Sequence, residues 1–526
     1  MSISPPQPIA YPKASQAPVP QGQTAGENNA VGLTEATTTQ QSQQGEPEAK
    51  KSLNRTVANK LPQGWPDIQR LALGIVLPNG NLSLSLRVQV DGQGNIYQPT
   101  IDGFEPIGKM DTNGNYRFKN GLQGNCFRDG QFELKVEHAE NPFQKALLES
   151  KQKRASAGSI VPLVRQNLTA NGIDGRGITI ADIEPFEVDK NEPGKKQLFV
   201  SPHSQAVAAV IHDPYWGVAP GAIVKNFGWY SPEFELKKDD LSEFNQLPPV
   251  QQVYGEMIAQ LDRVLQEHQK DPSLRVVNIS WGLTLLEFYI ETLNVLQEED
   301  PKTGHFKFPL IRQAVLGDTQ HKTREEQFMA IERYINALLI QNPLFTQLHR
   351  QYVEKTREVK DQGLIIFLSA ANAHDQLPFT VPLPPGHEMT LWANSPYVIS
   401  VAASDTNLTP ADTRDDIIAP FSSRGDAQHW NPTIAAPGAE IGMTQQFGTI
   451  GLGLVTKGTS YSSPISAGIA AMMLQENPNL TFEDIRDRLI QTATKTAHPF
   501  AAQGYGILNP IEAVKSAKQI PSAAAL

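Results

Sequence analysis

The chain has 526 residues, more than one ordinary domain needs, which leaves room for additional modules beside a large core. Its formal net charge of −10 makes nucleic acids and anionic membranes poor partners, and no stretch approaches the length of a membrane span. The single cysteine, Cys126, excludes internal disulfide bonds and lies far in sequence from the candidate reactive groups below, which argues against catalysis by a thiol.

The N-terminal segment, residues 1–64, is rich in Pro, Gln, Thr, Ser and Ala and has almost no aromatic residues. Such a composition cannot bury enough apolar surface to offset the chain entropy lost on folding, so we predict that the segment is disordered. Its start has neither the basic stretch nor the apolar run that a secretory signal needs. We therefore expect a cytoplasmic protein, with export by a leaderless route left open.

Residues 65–139 have the pattern of β-strands. Apolar side chains alternate with polar ones in one run, at Leu82, Leu84, Leu86, Val88 and Val90. Hairpin-turn signals stand beside such runs, at Asn79-Gly80, Asp91-Gly92 and Asn113-Gly114. We predict a small antiparallel β module, which we interpret as an accessory module that could dock a protein partner, in preference to a folding chaperone.

The first candidate catalytic residue, Asp182, follows the apolar run Ile178 to Ala181. Gly175 and Gly177 indicate a turn before that run, which is typical of a short buried strand. A carboxylate at the end of a buried strand is unusual unless it has a partner, for example a histidine that it orients. The alternative is an aspartate in a loop that caps the next turn.

The second candidate, His203, lies where an apolar helix of small residues begins, in the segment Ser201 to Ile211. Its ring can point out of the helix start while the body of the helix stays in the core. Such a histidine is a candidate general base. The alternative is a structural role as a capping or core residue.

The third candidate, Ser460, lies in a block that reads Gly-Thr-Ser-Tyr-Ser-Ser-Pro and precedes a run of small and apolar residues. Gly458 and Thr459 allow a sharp turn that exposes Ser460, and Pro464 is typical of the first turn of a helix. Ser460 would then lie at a helix N-terminus, where free N–H groups and the dipole favour a developing negative charge. This position suits a nucleophile, whereas the alternative is a serine that only caps the helix.

In this order along the chain, the three blocks resemble those of the subtilase family of serine proteases, and the resemblance extends from about Ile160 to Val514. The serine block resembles G-T-S-x-x-S-P, and the segment that begins at the histidine resembles H-G-T-x-V-A. The run that ends at the aspartate resembles the strand leading to the family's catalytic aspartate. The resemblance implies that Ser460 attacks a peptide carbonyl, that His203 accepts its proton, and that Asp182 orients His203.

Two further segments resemble family blocks that line the substrate cleft. Val276 to Gly282 is similar to a strand that pairs with an extended substrate. The resemblance implies main-chain binding of substrate at three positions, Ser280, Trp281 and Gly282. Leu368 to Asn372 is similar to the strand whose asparagine completes the oxyanion hole, which implies this role for Asn372. The alternative for Asn372 is a structural asparagine in the core.

The chain departs from the family pattern at three positions. The residue after Asp182 is Ile183, which cannot hydrogen-bond the carboxylate as the family's hydroxyl residue does, so we expect that support from another group. Ser204 and Ala371 stand where the family has glycine. These changes affect geometry and rate more than the type of reaction, because each leaves the reacting groups in place.

An unusually long segment, from Leu283 to Gly363, separates the cleft strand from the oxyanion strand. Its apolar residues recur at helical spacing in two sets. We interpret the second set, near Tyr352, as the family's own helix. The first set predicts an inserted helix from Thr323 to Gln341, within an insertion at about 283–342. The insert is either a solvated helix or a device that limits which substrates enter or that binds a partner.

Together these patterns predict an α/β, subtilisin-like three-layer fold with a central, mostly parallel sheet. The predicted organisation is a disordered segment at 1–64, the β module at 65–139 and the protease domain at 140–520. The predicted function is serine endopeptidase action on polypeptides through the triad and oxyanion hole named above. The alternative is a weak or inactive binding protein with the subtilase fold. No cofactor is expected, and a structural calcium ion is not assignable from the sequence.

Overall fold

The computed structural model describes residues 69–518 with interruptions. The segments left out within that range are 77–81, 101–102, 120, 122, 126–129, 133–141, 144–145, 148, 151–157, 189–197, 215, 231–237, 301, 319–321, 375–382, 385, 427–430, 440 and 445–452. The predictions for residues 1–64 and for Cys126 therefore lie outside the described residues. The predicted domain boundaries stay predictions.

The first seven strands form one antiparallel sheet in the spatial order β6-β5-β4-β3-β2-β1-β7. Their bounds are Gln69–Val76 (β1), Leu82–Val90 (β2), Asn95–Thr100 (β3), Gly103–Met110 (β4), Asn115–Phe118 (β5), Gln123–Asn125 (β6) and Gly130–Phe132 (β7). Because side chains alternate between the faces, one face buries a small core of Val90, Ile96, Met110, Tyr116 and Phe118. The predicted antiparallel sheet is confirmed.

Aspartate side chains close two of the hairpins in this sheet. Asp91 Oδ1 accepts the backbone N–H groups of Gln93 and Asn95 at 2.9 and 2.8 Å. Asp111 makes the matching bonds to the N–H groups of Asn113 and Asn115. These bonds satisfy N–H groups in the turns that contain Asp91-Gly92 and Asn113-Gly114, two of the three predicted hairpin turns.

A second sheet contains eight strands and is mostly parallel, in the spatial order β10-β8-β11-β12-β13-β14, with β9 beside β8 and β15 beside β13. The bounds are Thr179–Val188 (β8), Leu198–Val200 (β9), Ile223–Tyr230 (β10), Leu274–Ile279 (β11), Ile365–Ser369 (β12), Ile399–Asp405 (β13), Ile417–Ile418 (β14) and Ile434–Pro437 (β15). Only β9 and β14 pair antiparallel among these described strands. Ile441–Thr444 (β16) and Gly453–Thr456 (β17) form a separate hairpin.

Twelve helices that the structure describes with continuous bounds accompany this sheet. They are Val161–Asn167 (α1), Pro202–His212 (α2), Leu241–Phe244 (α3), Pro248–Lys270 (α4), Leu285–Leu296 (α5), Pro309–Leu316 (α6), Arg324–Gln341 (α7), Pro343–Asp361 (α8), Thr459–Glu476 (α9), Phe482–Thr492 (α10), Phe500–Gln503 (α11) and Pro510–Ala517 (α12). Within the described part of the chain, each helix is too short or too polar to cross a membrane.

Two hydrophobic clusters cover the two faces of the parallel sheet, and β8 shows how they divide. Ile180 packs in the cluster that holds the buried residues of α2 and α9. Ala181 and Ile183 belong to the opposite cluster, with α4 and α8. Because strand side chains alternate, Asp182 and Glu184 lie on the face of Ile180, toward α2 and α9. The predicted three-layer α/β fold is confirmed.

The predicted inserted helix is confirmed as α7, Arg324–Gln341, but it is not an appendage on the surface. Its Phe328, Ile331 and Ile335 are fully buried in the same cluster as the central strands. Two neighbouring helices, α5 and α6, were not predicted. A capping box starts α5, in which Thr284 and Glu287 bond each other's backbone N–H groups, and this signal was present in the sequence.

Candidate active site

The position of His203 follows from how α2 begins. Ser201 caps the helix, its side chain accepting the Ser204 N–H at 3.0 Å, and Pro202 takes the first helical position, where no N–H is needed. His203 is therefore the second residue of the helix, and its side chain is 38% exposed. The predicted helix start is confirmed, with the ring at the edge of the core.

Glu184, not Asp182, holds this histidine. His203 Nδ1 lies 2.8 Å from Glu184 Oε2, and the second oxygen, Oε1, accepts the Ser280 N–H at 3.2 Å. A carboxylate oxygen accepts hydrogen bonds, so Nδ1 carries a proton toward Glu184, and Nε2 is the other ring nitrogen of this imidazole. The prediction that Asp182 orients His203 is wrong, because Asp182 bonds Asn278 instead.

The physical reason for this correction is the length of β8. The strand runs ten residues, Thr179–Val188, so Asp182 lies within it and not at its end. Glu184 is on the same face but about 7 Å further along, at about 3.3 Å per residue, and has one more methylene with which to reach α2. Two acids at positions i and i+2 of a buried strand were the available signal. Ile183 faces the opposite cluster, and the support that we expected for Asp182 from another group comes from Asn278.

Asp182 is fully buried in a polar row that crosses the sheet. In the strand register it stands between Asn226 on β10 and Asn278 on β11. Asn278 Nδ2 donates to Asp182 Oδ1 at 2.8 Å. Burial raises the pKa of Asp182 well above its ordinary value, and the nearby charge of Glu184 raises it further, while the bond from Asn278 opposes the shift.

Ser460 is the second residue of α9, and Gly458 makes the turn that places it there. Gly458 has φ +152°, a conformation that side-chain-bearing residues rarely adopt. Ser460 is 8% exposed, and its Oγ donates to the Ser280 carbonyl at 3.0 Å. The predicted helix start is confirmed, but Pro464 is the sixth helical residue and lies in the second turn, because the helix begins at Thr459.

Asn372 is anchored by the same turn. Its Oδ1 accepts the Thr459 N–H at 2.8 Å and the Thr459 hydroxyl at 3.0 Å. The amide oxygen therefore faces α9, and Nδ2 borders the space beside Gly458, 3.4 Å from where a Cβ there would lie. Ala371, which precedes it, has φ +89°, so this alanine stands in a left-handed conformation that glycine adopts more easily.

The three predicted substrate-binding positions differ in how they are used. The Ser280 N–H donates to Glu184, and the Ser280 carbonyl accepts from Ser460, so the backbone of this buried residue is occupied inside the protein. The Ser280 N–H is therefore engaged within the protein, and the predicted pairing of this backbone with a substrate stays a prediction. Trp281 and Gly282 are part exposed, and a Cβ on Gly282 would lie 2.7 Å from Thr390 Cβ, so glycine is needed there.

These bonds bring the candidate groups into one site. Ser280 joins Glu184 to Ser460, Glu184 holds His203, and the rings of His203 and Tyr461 lie 6.0 Å apart. A hydroxyl at a helix N-terminus, an oriented imidazole and an amide donor beside them are the groups that acyl transfer needs.

Residues 251–506 match the model of the subtilase family. The chain is similar to the serine protease AprX of Bacillus subtilis (strain 168), with 33% identity over 150 residues that cover 26% of this chain and 32% of AprX. It is also similar to subtilisin E of the same strain, with 38% identity over 91 residues that cover 17% of this chain and 22% of subtilisin E. The chain thus spans about a third or less of the length of these relatives.

Among solved structures, the chain is similar to MycP1 with the N-terminal propeptide removed, at 16% identity and a TM-score of 0.38, over 70% of this chain and 98% of that one. The segment that matches the family model contains Asn372 and Ser460, whereas Glu184 and His203 precede it. On this match, the segment 251–506 belongs to the subtilase family.

Proposed function

We propose that the protein is a serine endopeptidase that hydrolyses peptide bonds with Ser460 as the nucleophile, His203 as the general base and Glu184 as the carboxylate that orients the base. The observation that carries this proposal is the chain of bonds through Ser280, which ties Glu184 and Ser460 to one residue. Glu184 in turn holds His203 at 2.8 Å.

The first step is a change of partner for the serine hydroxyl. Its single proton is donated to the Ser280 carbonyl, so attack requires the hydroxyl to turn toward Nε2 of His203. The imidazole accepts the proton as Oγ bonds the substrate carbonyl, and later gives it to the leaving amine. Turning also frees the Ser280 carbonyl, which can then accept a main-chain N–H of an extended substrate.

The oxyanion formed by this attack lies near the start of α9. Asn372 Nδ2 and the Ser460 N–H are its proposed donors, and the Thr459 bonds keep the asparagine amide in the orientation that presents nitrogen. In such sites, removal of one donor costs about 100- to 1,000-fold in turnover. The helix N-terminus adds favourable partial charge at the same place.

A fluorophosphonate probe on the purified full chain tests the proposal, because it labels serines that an adjacent base has activated. We expect labelling that Ser460→Ala abolishes, together with hydrolysis of an unstructured polypeptide such as casein. Folded protein that neither takes up the probe nor cleaves casein would overturn the proposal and favour the non-catalytic binding protein instead.

A further inference from the structure

Asp182 is a buried acid that the proposed reaction does not use. It is fully buried, and its Oδ2 has no hydrogen-bond partner among the described residues. A polar atom left unpartnered in the interior costs stability, so an apolar residue would be the more stable occupant of this strand position. We therefore expect a function of Asp182 in the candidate active site, to which Glu184 on the same strand belongs.

The partner of Asp182 is the amide of Asn278, which makes three bonds. Nδ2 donates to Asp182 Oδ1 at 2.8 Å and to Ser280 Oγ at 2.9 Å, and Oδ1 accepts the Ser463 hydroxyl at 2.8 Å. An asparagine amide can stand in two orientations that exchange oxygen and nitrogen. The acceptor on Asp182 selects the orientation in which nitrogen faces both Asp182 and Ser280.

Ser280, held in this way, contacts both ends of the proposed machinery. Its N–H donates to Glu184 Oε1 at 3.2 Å, and its carbonyl accepts the Ser460 hydroxyl at 3.0 Å. A displacement of Ser280 would therefore move the carboxyl group that orients His203 and the nucleophile together. Because in catalysis a small misplacement is costly in rate, the residues that hold Ser280 matter for turnover.

We propose that Asp182 is a positioning residue, which acts through Asn278 on Ser280 and, through Ser280, on both Glu184 and Ser460. This inference rests on the proposed function. The required property of Asp182 is an oxygen that accepts a hydrogen bond, and not a negative charge. The raised pKa of Asp182 agrees with this, because the neutral acid keeps an acceptor oxygen while it avoids a second charge beside Glu184.

The groups around Asp182 come from each element packed against it. Glu184 on the same strand, and His203 bonded to Glu184, are the titratable groups. The flanking strands contribute the neutral side chains of Asn226 and Asn278, and α9 contributes Ser463. An uncharged acceptor at position 182 should therefore not change the ionisation of His203, which depends on its contact with Glu184.

Two matched substitutions show whether Asp182 acts as a hydrogen-bond acceptor or as a negative charge. Asp182→Val removes the acceptor at nearly equal volume, and we expect kcat to fall about 10- to 100-fold, the loss typical of groups that orient reacting residues. Asp182→Asn keeps an acceptor oxygen without a charge, and we expect kcat within about threefold of the parent. KM should change little in both variants, and Asp182→Asn should leave the acidic limb of the kcat/KM profile against pH in place.

Each outcome decides the question. Parent-like kcat in folded Asp182→Val, or equal losses in both variants, would overturn the inference while the activity of the parent leaves the proposed function standing. A parent chain without activity would overturn both. If Asp182→Val does not fold, Ser463→Ala releases the other end of the Asn278 amide and leaves the strand unchanged. An unchanged kcat in Ser463→Ala would then overturn the inference.

Discussion

Two histidine–glutamate pairs in this molecule have the same bond at their centre. His203 Nδ1 lies 2.8 Å from Glu184 Oε2, and His374 Nδ1 lies 2.8 Å from Glu388 Oε2. Each carboxyl group also accepts a backbone N–H from a different segment of the chain. Judged by the pair alone, either could be the base of a catalytic site.

The carboxyl groups differ in which oxygens are occupied. Glu184 uses both, Oε2 for His203 and Oε1 for the Ser280 N–H. Among the described residues, Glu388 uses one, since Oε2 accepts from His374 and also from the Arg424 N–H at 2.9 Å. In the first pair, bonds to both oxygens keep the Glu184 carboxyl group from rotating. In the second pair, both bonds go to Oε2, so a chemical change at Oε1 of Glu388 should leave them in place.

The surroundings differ as well. The His203 side chain is 38% exposed beside the start of α9, whereas that of His374 is 17% exposed. Ser460 belongs to the surroundings of the first pair, through Ser280. The two imidazoles are oriented in the same way, and the proposal that His203 is the base rests on the Ser460 hydroxyl at a helix start in its surroundings.

The largest effect should follow loss of the hydroxyl that distinguishes the first pair. We expect Ser460→Ala to fold normally and to lower kcat for peptide hydrolysis at least about a thousandfold, leaving what binding and the oxyanion donors provide. Steady-state hydrolysis of a chromogenic peptide measures this. A kcat close to that of the parent would show that Ser460 is not the nucleophile.

Replacement of each histidine by alanine, one at a time, tests the comparison between the two pairs directly. His203→Ala should lower kcat by about a thousandfold or more, because the base is lost. His374→Ala should keep kcat within about tenfold and instead lower the free energy of unfolding by about 1–3 kcal/mol, since Glu388 loses a donor in a mostly buried position. Kinetics and urea unfolding on both variants check this. An equal decrease of kcat in the two variants would show that the two pairs do not differ in their contribution to the reaction.

The two glutamates provide a third, smaller contrast. Glu184→Gln can satisfy only one of its two donors, because one oxygen becomes an NH₂ group. We expect the imidazole to adopt the wrong tautomer and kcat to fall by about 100- to 10,000-fold. Glu388→Gln can keep its one acceptor oxygen in place, so kcat should stay within about threefold. A strong loss in Glu388→Gln would mean that the second pair serves the reaction too.

The smallest expected effect concerns Ala371, which lies close in sequence to Asn372 and to His374 of the second pair. Ala371, with φ +89°, precedes Asn372 and lies three residues before His374. Ala371→Gly should raise the free energy of unfolding by about 0.5–1 kcal/mol, because relief of the left-handed strain exceeds the entropy that glycine loses on folding. Thermal and urea unfolding measure the change. A loss of stability would show that the strain is already relieved elsewhere.

The sequence predicted well wherever the signal was local. The turn at Gly458, the helix starts at His203 and Ser460, the hairpins at Asp91 and Asp111, and the helix over 324–341 all depend on neighbouring residues. Capping, glycine conformation and hydrophobic period act within a few positions along the chain. For this reason Ser460 and His203 could be identified as candidates from their neighbours in the sequence.

Local patterns by themselves determined the mostly parallel sheet, the two helix starts and the positions of Ser460 and His203 at them. The tertiary structure decided which of two acids on one buried strand face holds the imidazole. Asp182 and Glu184 share that face and differ by two positions along it, so the alternating pattern cannot distinguish them. His203 on α2 and Ser280 contact β8 at the position of Glu184 and not at that of Asp182. Packing between segments far apart in the chain fixes where these contacts fall along the strand.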